Sequence, residues 1–487
     1  MKTAVLSIAI LFFCASLFAQ DVPLVVFVSR PVSTVLQFPM ESDQWSNSPL
    51  MKNKPMDPMS TVVLPPAVPP KREPLPPSIL AVDTVWLENN TPITATGVFD
   101  YDSSKTDNGL TLLDQATRSC LVDMNGKILK KLPFGFPTVF PDGSMVGQMG
   151  AYLVKYDADM NLLWKIMAGA HHEITTDANG AIYLLSSDSH EYMGLNIRFD
   201  ELKIFSADGD LIYTWTVYDH LKEFFAIISK STFVSGLYNQ YDSTKGIEEY
   251  IAQDPSLFFN HETGDTTCNF ELTHFNSIQV LPDNDVARKI PAFKKGNLLL
   301  SFNPYACYGI LDTSTHKIEW VGYLPERTTL HTPILTATGT ILIFQNSTPS
   351  RKSQSQDDQP CMKYLNKHIS SKRMSRNPPS RNWVSVSEYN PLTGSKVWEY
   401  TADPKESLHA DGLGSAQRLW NGNTLVCVAT ELHGKGGRIF EVTPEKKIVW
   451  SYISPEIDHE HKFPCCFYRA KRVSYDIAEK VVPGFKH

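Results

Sequence analysis

The sequence predicts an all-β fold, a six-bladed β-propeller that follows a proline-rich N-terminal arm. The prediction rests on a hairpin-like unit that recurs six times, and on the near absence of helical periodicity after residue 82. Each unit has an apolar strand, a turn rich in Asp, Gly and Thr, and a second strand, which ends in tryptophan in five of the six units. The units begin at Leu121, Val154, Ile204, Ile310, Glu388 and Phe440.

The spacing of the units is typical of a propeller. Trp164 and Trp215 end consecutive units and lie 51 residues apart. A period of about fifty residues made of short strands indicates blades that bury their faces by stacking on their neighbours. We therefore expect the tryptophans to pack between blades. Wider gaps contain insertions, one around Asp219–Cys268 and a basic, serine-rich one at 349–381. The alternative is a β-sandwich whose hairpins resemble each other by chance, which six similar copies disfavour.

Composition limits the possible partners. The chain has 487 residues, 42% hydrophobic and 20% charged, which suits a large folded core. Lys and Arg number 45 against 52 Asp and Glu, so the formal net charge is -7. Binding to nucleic-acid phosphates needs a clustered basic excess, so no nucleic-acid partner is expected. No run of eighteen apolar residues follows the N-terminus, so no stable membrane span is expected either.

The N-terminus has the pattern of an export signal. Lys2 supplies a positive start, Val5–Phe13 form a short apolar run, and small and polar residues follow to Gln20. We therefore expect a periplasmic or secreted protein. The predicted parts are a signal peptide at 1–20, a proline-rich segment with possible strands at 21–105, the propeller at 106–475 and a tail at 476–487.

Cysteine usage predicts no particular framework. Seven cysteines remain after Cys14, an odd number, and none of their spacings is Cys-x-x-Cys. A zinc site is therefore not expected, and the pairing of the thiols stays open. Two triplets fit glycosylation sequons, Asn89-Asn-Thr91 and Asn346-Ser-Thr348, which would matter only in a eukaryotic secretory route.

Three histidines share one position of the repeat. Counting eight residues back from a turn glycine reaches His172 and His331, and His274 fits the same slot with a longer turn. The strand that opens each blade lines the central channel, so side chains in this slot should converge on one axis. The count reaches glycine at 135 and 414, which we expect to leave room for a ligand.

Three converging imidazoles can bind an anion or a metal, or act as nucleophiles. Glu173 directly follows His172, but adjacent strand residues point to opposite faces, so it is a poor metal partner. A phosphate loop, a GxSxG elbow and a dinucleotide fingerprint are absent from the sequence. We therefore predict neither metal nor cofactor, but an anion-transfer site in which one neutral imidazole attacks and its neighbours stabilise oxygens.

Several stretches, in order and over roughly residues 107–472, resemble the arylsulfate sulfotransferase family of exported six-bladed propellers. The resemblance implies transfer of a sulfuryl group from a phenolic sulfate ester to a phenol, without phosphoadenosine phosphosulfate. The stretches are Gly109–Leu113, Cys120–Lys127, His171–Ile174, Trp215–Leu221, Thr273–Ile278, Gly296–Phe302, Leu330–Pro333, Gly414–Leu425 and Phe440–Pro444.

The resemblance also assigns roles to residues. The family's covalently sulfated histidine matches His331, and a ping-pong cycle follows in which an aryl sulfate donor and a phenolic acceptor alternate. His274 and His172, or less favourably His171, would offset charge on the sulfuryl oxygens and move the phenol proton. His171 and Asn276 are further expected to bind substrate.

Two departures from the family pattern favour an alternative. Asn303 stands where the family often has an arginine, and its amide is expected to bind substrate by a hydrogen bond but cannot neutralise the sulfate charge. That charge would be offset by Arg327, also expected to bind substrate, or by no cation. Leu330 and Thr332 replace the usual Gln and Asp beside His331, so an acid that would orient the imidazole is missing. The alternative is a non-catalytic, ligand-binding propeller with a degenerate site. A quinoprotein-like dehydrogenase is disfavoured, because six units are present and no Asp and Glu constellation for a quinone and calcium is apparent.

Overall fold

The computed structural model describes a set of segments between Val85 and Phe485. The predicted signal peptide, the proline clusters of the arm, most of the 349–381 insertion and Arg327 lie outside the described residues. The described residues are 85–86, 92–93, 97–115, 118–192, 195–230, 259–262, 268–326, 328–347, 381, 383–410, 412–429, 437–454, 457–458, 463–464 and 467–485.

Six antiparallel sheets form a six-bladed propeller, so the predicted all-β class and blade number are confirmed. Each of the six hairpin units supplies the two outer strands of one four-stranded blade. From the channel outward, the first three blades are Arg469–Val473, Leu110–Asp114, Ser119–Val122 and Ile128–Leu132; Gly135–Val139, Met145–Met149, Tyr152–Tyr156 and Leu162–Met167; and Ile174–Thr176, Ile182–Tyr192, Leu195–Phe205 and Leu211–Thr216. The last three are Ile278–Val280, Leu298–Phe302, Cys307–Asp312 and Lys317–Tyr323; Leu330–Leu335, Ile341–Gln345, Ser385–Tyr389 and Lys396–Tyr400; and Ser415–Arg418, Thr424–Val428, Arg438–Val442 and Ile448–Ile453.

Short elements decorate this ring. The strand Gly97–Phe99 adds a fifth strand to the outer edge of blade 6. In blade 3, Cys268–Glu271 pairs in parallel with Leu195–Phe205, and Phe259–Glu262 pairs with Cys268–Glu271. Two further two-stranded ribbons are Val85–Trp86 with Pro92–Ile93, and Ile457–Asp458 with Phe463–Pro464.

The helices within the described residues are short. Two of them are α-helices, Leu221–Ile228, which buries Phe224 and Phe225, and Tyr475–Val481, which buries Ala478 and Val481. Among the described residues, no helix is long and apolar enough to cross a membrane. The 3-10 helices are Tyr218–His220, Asp285–Arg288, Pro291–Phe293, Asn303–Tyr305 and Lys405–Ser407.

The turns that the sequence pattern identified form for a local reason. In the first unit, Asp123 Oδ1 accepts hydrogen bonds from the backbone N–H groups of Asn125 and Lys127, both at 2.9 Å. Gly126 follows at φ +79°, a left-handed conformation that favours glycine. An aspartate that bonds its own backbone two and four residues on closes a tight turn without tertiary help. The pattern is therefore visible in the sequence.

Tryptophans tie neighbouring blades together, as the sequence predicts. Four indole N–H groups donate to carbonyl oxygens in a turn of the next blade: Trp164 to Ala207 at 3.3 Å, and Trp215 to His316, Trp398 to Pro444 and Trp450 to Met124, each at 2.9 Å. Blade 1 lacks the tryptophan, and Lys130 Nζ donates instead to Ala158 of blade 2 at 2.5 Å. Apolar clusters fill the spaces between blades; one holds Phe199, Trp215, Phe275 and Phe302.

The ring is closed by its last strand. Arg469–Val473 pairs antiparallel with Leu110–Asp114, from Arg469 opposite Asp114 to Val473 opposite Leu110. Blade 1 therefore combines strands from both ends of the propeller. This closure brings Tyr468 and Arg469 to the channel side of the sheet.

Candidate active site

The innermost strands and the segments before them bring the three histidines of the repeat slot to the centre of the ring. His172, His274 and His331 are 4%, 7% and 3% exposed. His172 Nε2 lies 2.8 Å from His274 Nε2. His331 is equally buried, and a positive charge on His172 or His274 lowers its pKa. Two of the imidazoles are thus in direct contact, and the third, from another blade, lies within electrostatic range of them.

In three blades, a residue with left-handed backbone conformation lies in or just before the innermost strand. His172 has φ +59°, and Thr332 and Phe136 have φ +47° and +51°. The pairing of blade 5 shifts between His331 and Ile334, so a β-bulge re-aims the side chains there. The left-handed residue is His172 itself in blade 3 but the residue after His331 in blade 5, so the two histidines are not strictly equivalent.

His172 and His274 belong to a chain of four side chains. The Tyr468 hydroxyl bonds His172 Nδ1, and His274 Nδ1 lies 2.8 Å from Glu271 Oε2. The other Glu271 oxygen forms an ion pair with Arg198, which stands opposite it in the parallel pairing of blade 3. A carboxylate only accepts hydrogen bonds, so His274 Nδ1 carries a proton. When both rings are neutral, His172 Nε2–H donates to His274 Nε2 and Tyr468 donates to His172.

His331 is held as a neutral imidazole with a defined tautomer. Its Nδ1 lies 2.6 Å from Asn346 Oδ1, and Asn346 Nδ2 donates to the Leu413 carbonyl at 2.8 Å. The second bond fixes which way the amide points, so His331 Nδ1 is the donor and Nε2 carries the lone pair. Burial lowers the pKa of His331 well below its ordinary value; the Asn346 bond opposes this, and the Arg469 charge adds to it.

Arg469 places a buried cation in the cluster. It is 3% exposed, and its guanidinium forms an ion pair with Glu173 and donates to the Asn276 carbonyl. Arg469 therefore joins blade 1 to the segments that open blades 3 and 4. Burial alone would raise the pKa of Glu173, but the charges of Arg469 and Lys471 outweigh it and keep the pKa below its usual value.

The predicted substrate-binding amides make contacts within the protein. Asn276 Nδ2 donates to the Leu330 carbonyl at 2.9 Å, and Asn276 Oδ1 accepts from Ser301 at 2.7 Å. Asn303 Oδ1 accepts from the Leu330 N–H at 2.9 Å. Both amides thus hold the strand that carries His331 against blade 4. Their contact with substrate stays a prediction, as does that of Arg327, which lies outside the described residues.

His171 faces a different group from His172. Its Nε2 lies 3.6 Å from Asp200 Oδ1, and Thr273 Oγ1 donates to Asp200 Oδ2 at 2.6 Å. Burial and the nearby charge of Glu271 raise the pKa of Asp200 to about 7. Of the two adjacent histidines, His172 therefore contacts His274, in agreement with the slot count.

Two sequence expectations need correction. Gly414 does not leave room for a ligand: a Cβ there would lie 2.5 Å from the Phe344 ring, and φ is +103°, so glycine serves packing and backbone geometry. Asn346 heads a sequon but is 0% exposed and bonded to His331, so a glycan at this position is incompatible with the fold. Thr332, in the place of the family's Asp, accepts from the Ala416 N–H at 3.2 Å rather than contacting His331.

A narrow cavity reaches one side of the cluster. It encloses about 270 Å³, partly open to solvent, with an interior that has room for about one water molecule. His172, Arg469, Asp114 and Phe136 line it, together with neighbouring residues of the same strands. An aromatic ligand is far larger than one water, so its access requires side chains at this end to move. Within the part of the chain that the structure describes, no group of His, Cys, Asp or Glu is arranged to hold a metal ion.

Sequence reasoning missed four of the residues that complete the cluster. Tyr468 and Arg469 open the last strand, and no turn glycine follows eight residues later to reveal the slot. A propeller needs one terminal strand to complete its first blade as the innermost strand, and this requirement could have placed Tyr468 and Arg469 at the channel. Glu271 lies only three residues before His274, but no sequence pattern shows that the chain turns between them so that the carboxylate meets the imidazole. Asn346 meets His331 across a strand pair, 15 residues along the chain.

A six-bladed propeller whose channel holds a buried, hydrogen-bonded imidazole cluster beside an arginine defines the class of this protein. The profile of the arylsulfotransferase (ASST) family matches residues 153–455, more than half of the chain. The chain belongs to the arylsulfotransferase family, and the resemblance seen in the sequence is confirmed. Membership supports sulfuryl transfer at the level of the family. Among curated proteins, none matches the chain significantly.

Solved structures resemble the chain only distantly. A protein of unknown function from Bacteroides caccae is 11% identical with a TM-score of 0.42, over 75% of this chain and 98% of that one. The dihydro-heme d1 dehydrogenase NirN is 10% identical, with a TM-score of 0.31, over 77% and 59%. Hydrazine synthase of Kuenenia stuttgartiensis is 9% identical, with a TM-score of 0.32, over 64% of each chain. At these values the likenesses carry no argument about function.

Proposed function

We propose that the protein transfers a sulfuryl group from an aryl sulfate to a phenol by a ping-pong mechanism through a sulfated His331. The observation that carries the proposal is the state of His331: buried, neutral and fixed by Asn346 so that Nε2 holds the lone pair. A neutral imidazole attacks an electrophilic sulfur, whereas an imidazolium cannot. The N–S bond forms as the bond between sulfur and the phenolic oxygen breaks, and an incoming phenol reverses the step.

Charge compensation supports the same proposal. The sulfuryl group is anionic, and the family's arginine is replaced by Asn303, whose Oδ1 accepts from a backbone N–H. Arg469 supplies a positive charge that His331 senses, from the strand that closes the ring. This charge, with that of the His172–His274 pair when it is protonated, would offset the negative charge on the oxygens of the transferred group. We also propose export to the periplasm or the extracellular space, on the signal-peptide pattern of residues 1–20.

The test is an assay of the purified protein with a chromogenic aryl sulfate and a phenol acceptor. We expect phenol release that depends on the acceptor and is lost in His331→Ala, with His316→Ala as a matched control because His316 lies at an outer turn of blade 4. Absence of release from the wild type would refute catalysis. Binding of the aryl sulfate without release would instead support the non-catalytic, ligand-binding propeller, which the departures from the family pattern at Asn303 and Thr332 favour.

A further inference from the structure

We propose that Tyr468, His172, His274 and Glu271 form a relay that carries the phenolic proton, with Glu271 as the positioning residue that fixes its direction. The inference rests on the proposed sulfuryl transfer and names groups for its proton balance. Leaving phenolate must gain a proton in the first half of the cycle, and the acceptor phenol must lose one in the second. The protein must therefore give up one proton in the first half and recover it in the second.

The contacts give this proton a continuous path. Tyr468 bonds His172, His172 Nε2 lies 2.8 Å from His274 Nε2, and His274 Nδ1 lies 2.8 Å from Glu271. Each imidazole uses both of its nitrogens, which lets it accept a proton at one nitrogen and release another from the opposite one. At the outer end, a hydroxyl that donates to His172 retains lone pairs that can accept a hydrogen bond from a phenol.

Glu271 sets the direction because it only accepts. One of its oxygens pairs with Arg198, and the bond of the other to His274 Nδ1 leaves Nε2 as the nitrogen that gains or loses the transferred proton. Asp200 lies in the same buried region but contacts Thr273 and His171 instead of the relay. The two carboxyl groups are therefore a natural pair for comparison.

The proton balance closes over one cycle. In the donor half-reaction, the leaving phenolate takes the Tyr468 proton, Tyr468 takes the proton on His172 Nδ1, and His172 Nε2 takes the proton on His274 Nε2. His274 thus passes from imidazolium to neutral while His331 becomes sulfated. In the acceptor half-reaction each proton moves back, and His274 is again an imidazolium facing Glu271. No oxidant, reductant or further reactant is needed.

Acceptor dependence tests the relay. The donor is an aryl sulfate whose phenolate is stable without a proton, so that only the acceptor half-reaction depends on the relay. It is paired with either unsubstituted phenol or a nitrophenol that is largely ionised at the assay pH and so has no proton to release. We expect Glu271→Gln and Tyr468→Phe to slow transfer to phenol about 10- to 100-fold, but transfer to nitrophenol by less than about threefold. Two control variants should leave the rates of transfer to both acceptors unchanged: Asp200→Asn, and Tyr323→Phe, in which the lost hydroxyl donates to the Ile227 carbonyl at 3.1 Å. Equal losses for both acceptors, or no loss, would overturn the relay.

A measurement on the unaltered protein covers variants that fail to fold. Nitrogen-15 spectra of labelled histidine should show neutral His274 with its proton on Nδ1 and His172 with its proton on Nε2 at high pH. The opposite tautomers would overturn the relay even if the protein transfers sulfuryl groups. Conversely, a wild type with the expected tautomers but without transfer to either acceptor would refute the proposed function and leave the relay without a reaction to serve.

Discussion

In His331, Nε2 is the proposed nucleophile, and the other ring nitrogen, Nδ1, is held by an amide rather than by a carboxylate. The 2.6 Å contact with Asn346 Oδ1 fixes the tautomer without adding a negative charge. A carboxylate would raise the pKa of the imidazole and favour its protonated, unreactive form. The replacement of the family's Asp by Thr332 therefore does not leave the ring without an orienting partner, because Asn346 provides one from the neighbouring strand.

Removal of this amide should reduce turnover more than binding. We expect Asn346→Ala to lower kcat about 10- to 100-fold with a small change in KM, because the neutral ring can then adopt the wrong tautomer. Steady-state kinetics with an aryl sulfate donor measure both constants. Asn297→Ala is the control: Asn297 is a buried amide of blade 4 that donates to the Ala292 carbonyl at 2.9 Å, outside the cluster. Equal kinetic losses in the two variants would contradict an orienting role.

Asp200 gives the stability of the protein a pH dependence of known sign. Burial and the charge of Glu271 raise the pKa of Asp200 from 3.8 to about 7. The folded state therefore binds this proton more tightly than the unfolded state, and the resulting stabilisation is lost as the pH rises from about 4 through 7.

We expect Asp200→Asn to gain stability relative to the wild type as the pH rises from 4.5 to 8, by on the order of a few kcal/mol. Urea unfolding of both proteins at the two pH values measures the difference, and comparison at each pH cancels other titrating groups. A difference that is independent of pH would show that the Asp200 pKa is ordinary in the folded protein.

The residues that sequence reasoning found and missed differ in one physical respect. His172 and His331 were found because the turn glycines count the blade register, and backbone register is local. Glu271 is three residues from His274, but its position is set by pairing with the strand Leu195–Phe205, which is distant in sequence, and the sequence does not predict that pairing. Asn346 reaches His331 across a strand pair. Gly414 was misread because its neighbour, the Phe344 ring, comes from another blade.

The outer hairpins are the elements that the sequence predicts best. Their turns close through short-range bonds, such as those of Asp312 Oδ1 with the N–H groups of Ser314 at 2.8 Å and Thr315 at 3.1 Å in blade 4. The indole at the end of the second strand of the hairpin then contacts the next blade. Local turn chemistry and inter-blade contact are thus encoded in the same short unit, which explains why six copies suffice to predict the architecture.

Loss of one indole should destabilise the ring without changing its chemistry. Trp215 is buried and donates to the His316 carbonyl of blade 4 at 2.9 Å. Trp215→Phe leaves this carbonyl without its donor and a gap in the packing, so we expect a loss of about 2 to 4 kcal/mol. Chemical unfolding measures it. Trp420→Phe, at a side chain that is 68% exposed, should stay within about 0.5 kcal/mol, and a similar loss there would contradict the inter-blade role.

Over the whole molecule, the closing strand links fold and site. Arg469–Val473 completes blade 1, and Arg469 continues across the centre to Glu173 and Asn276. The residue that supplies the buried cation therefore also joins blades that are not neighbours. Sequence reasoning placed this strand in the propeller but not its first residues in the site, because closure is a property of the complete ring.

Truncation tests the closure. A chain that ends at residue 464 leaves Leu110–Asp114 as an unpaired edge beside the channel and opens an apolar cluster. We expect loss of cooperative thermal unfolding and association of the chains, measured by circular dichroism and gel filtration. Removal of residues 486–487 alone serves as the control and should leave the transition unchanged. Wild-type unfolding of the shorter chain would contradict the closure.

The proposed transfer requires that His331 Nε2 accept the sulfuryl group. This is measured most directly by peptide mass spectrometry of the protein after exposure to an aryl sulfate without an acceptor, under conditions that preserve the nitrogen–sulfur bond of a sulfated histidine. We expect one added sulfuryl mass on the peptide that contains His331, and we expect this added mass to disappear when a phenol is supplied. An unmodified His331 peptide in a sample that has released phenol, or a sulfuryl mass on another residue, would contradict it.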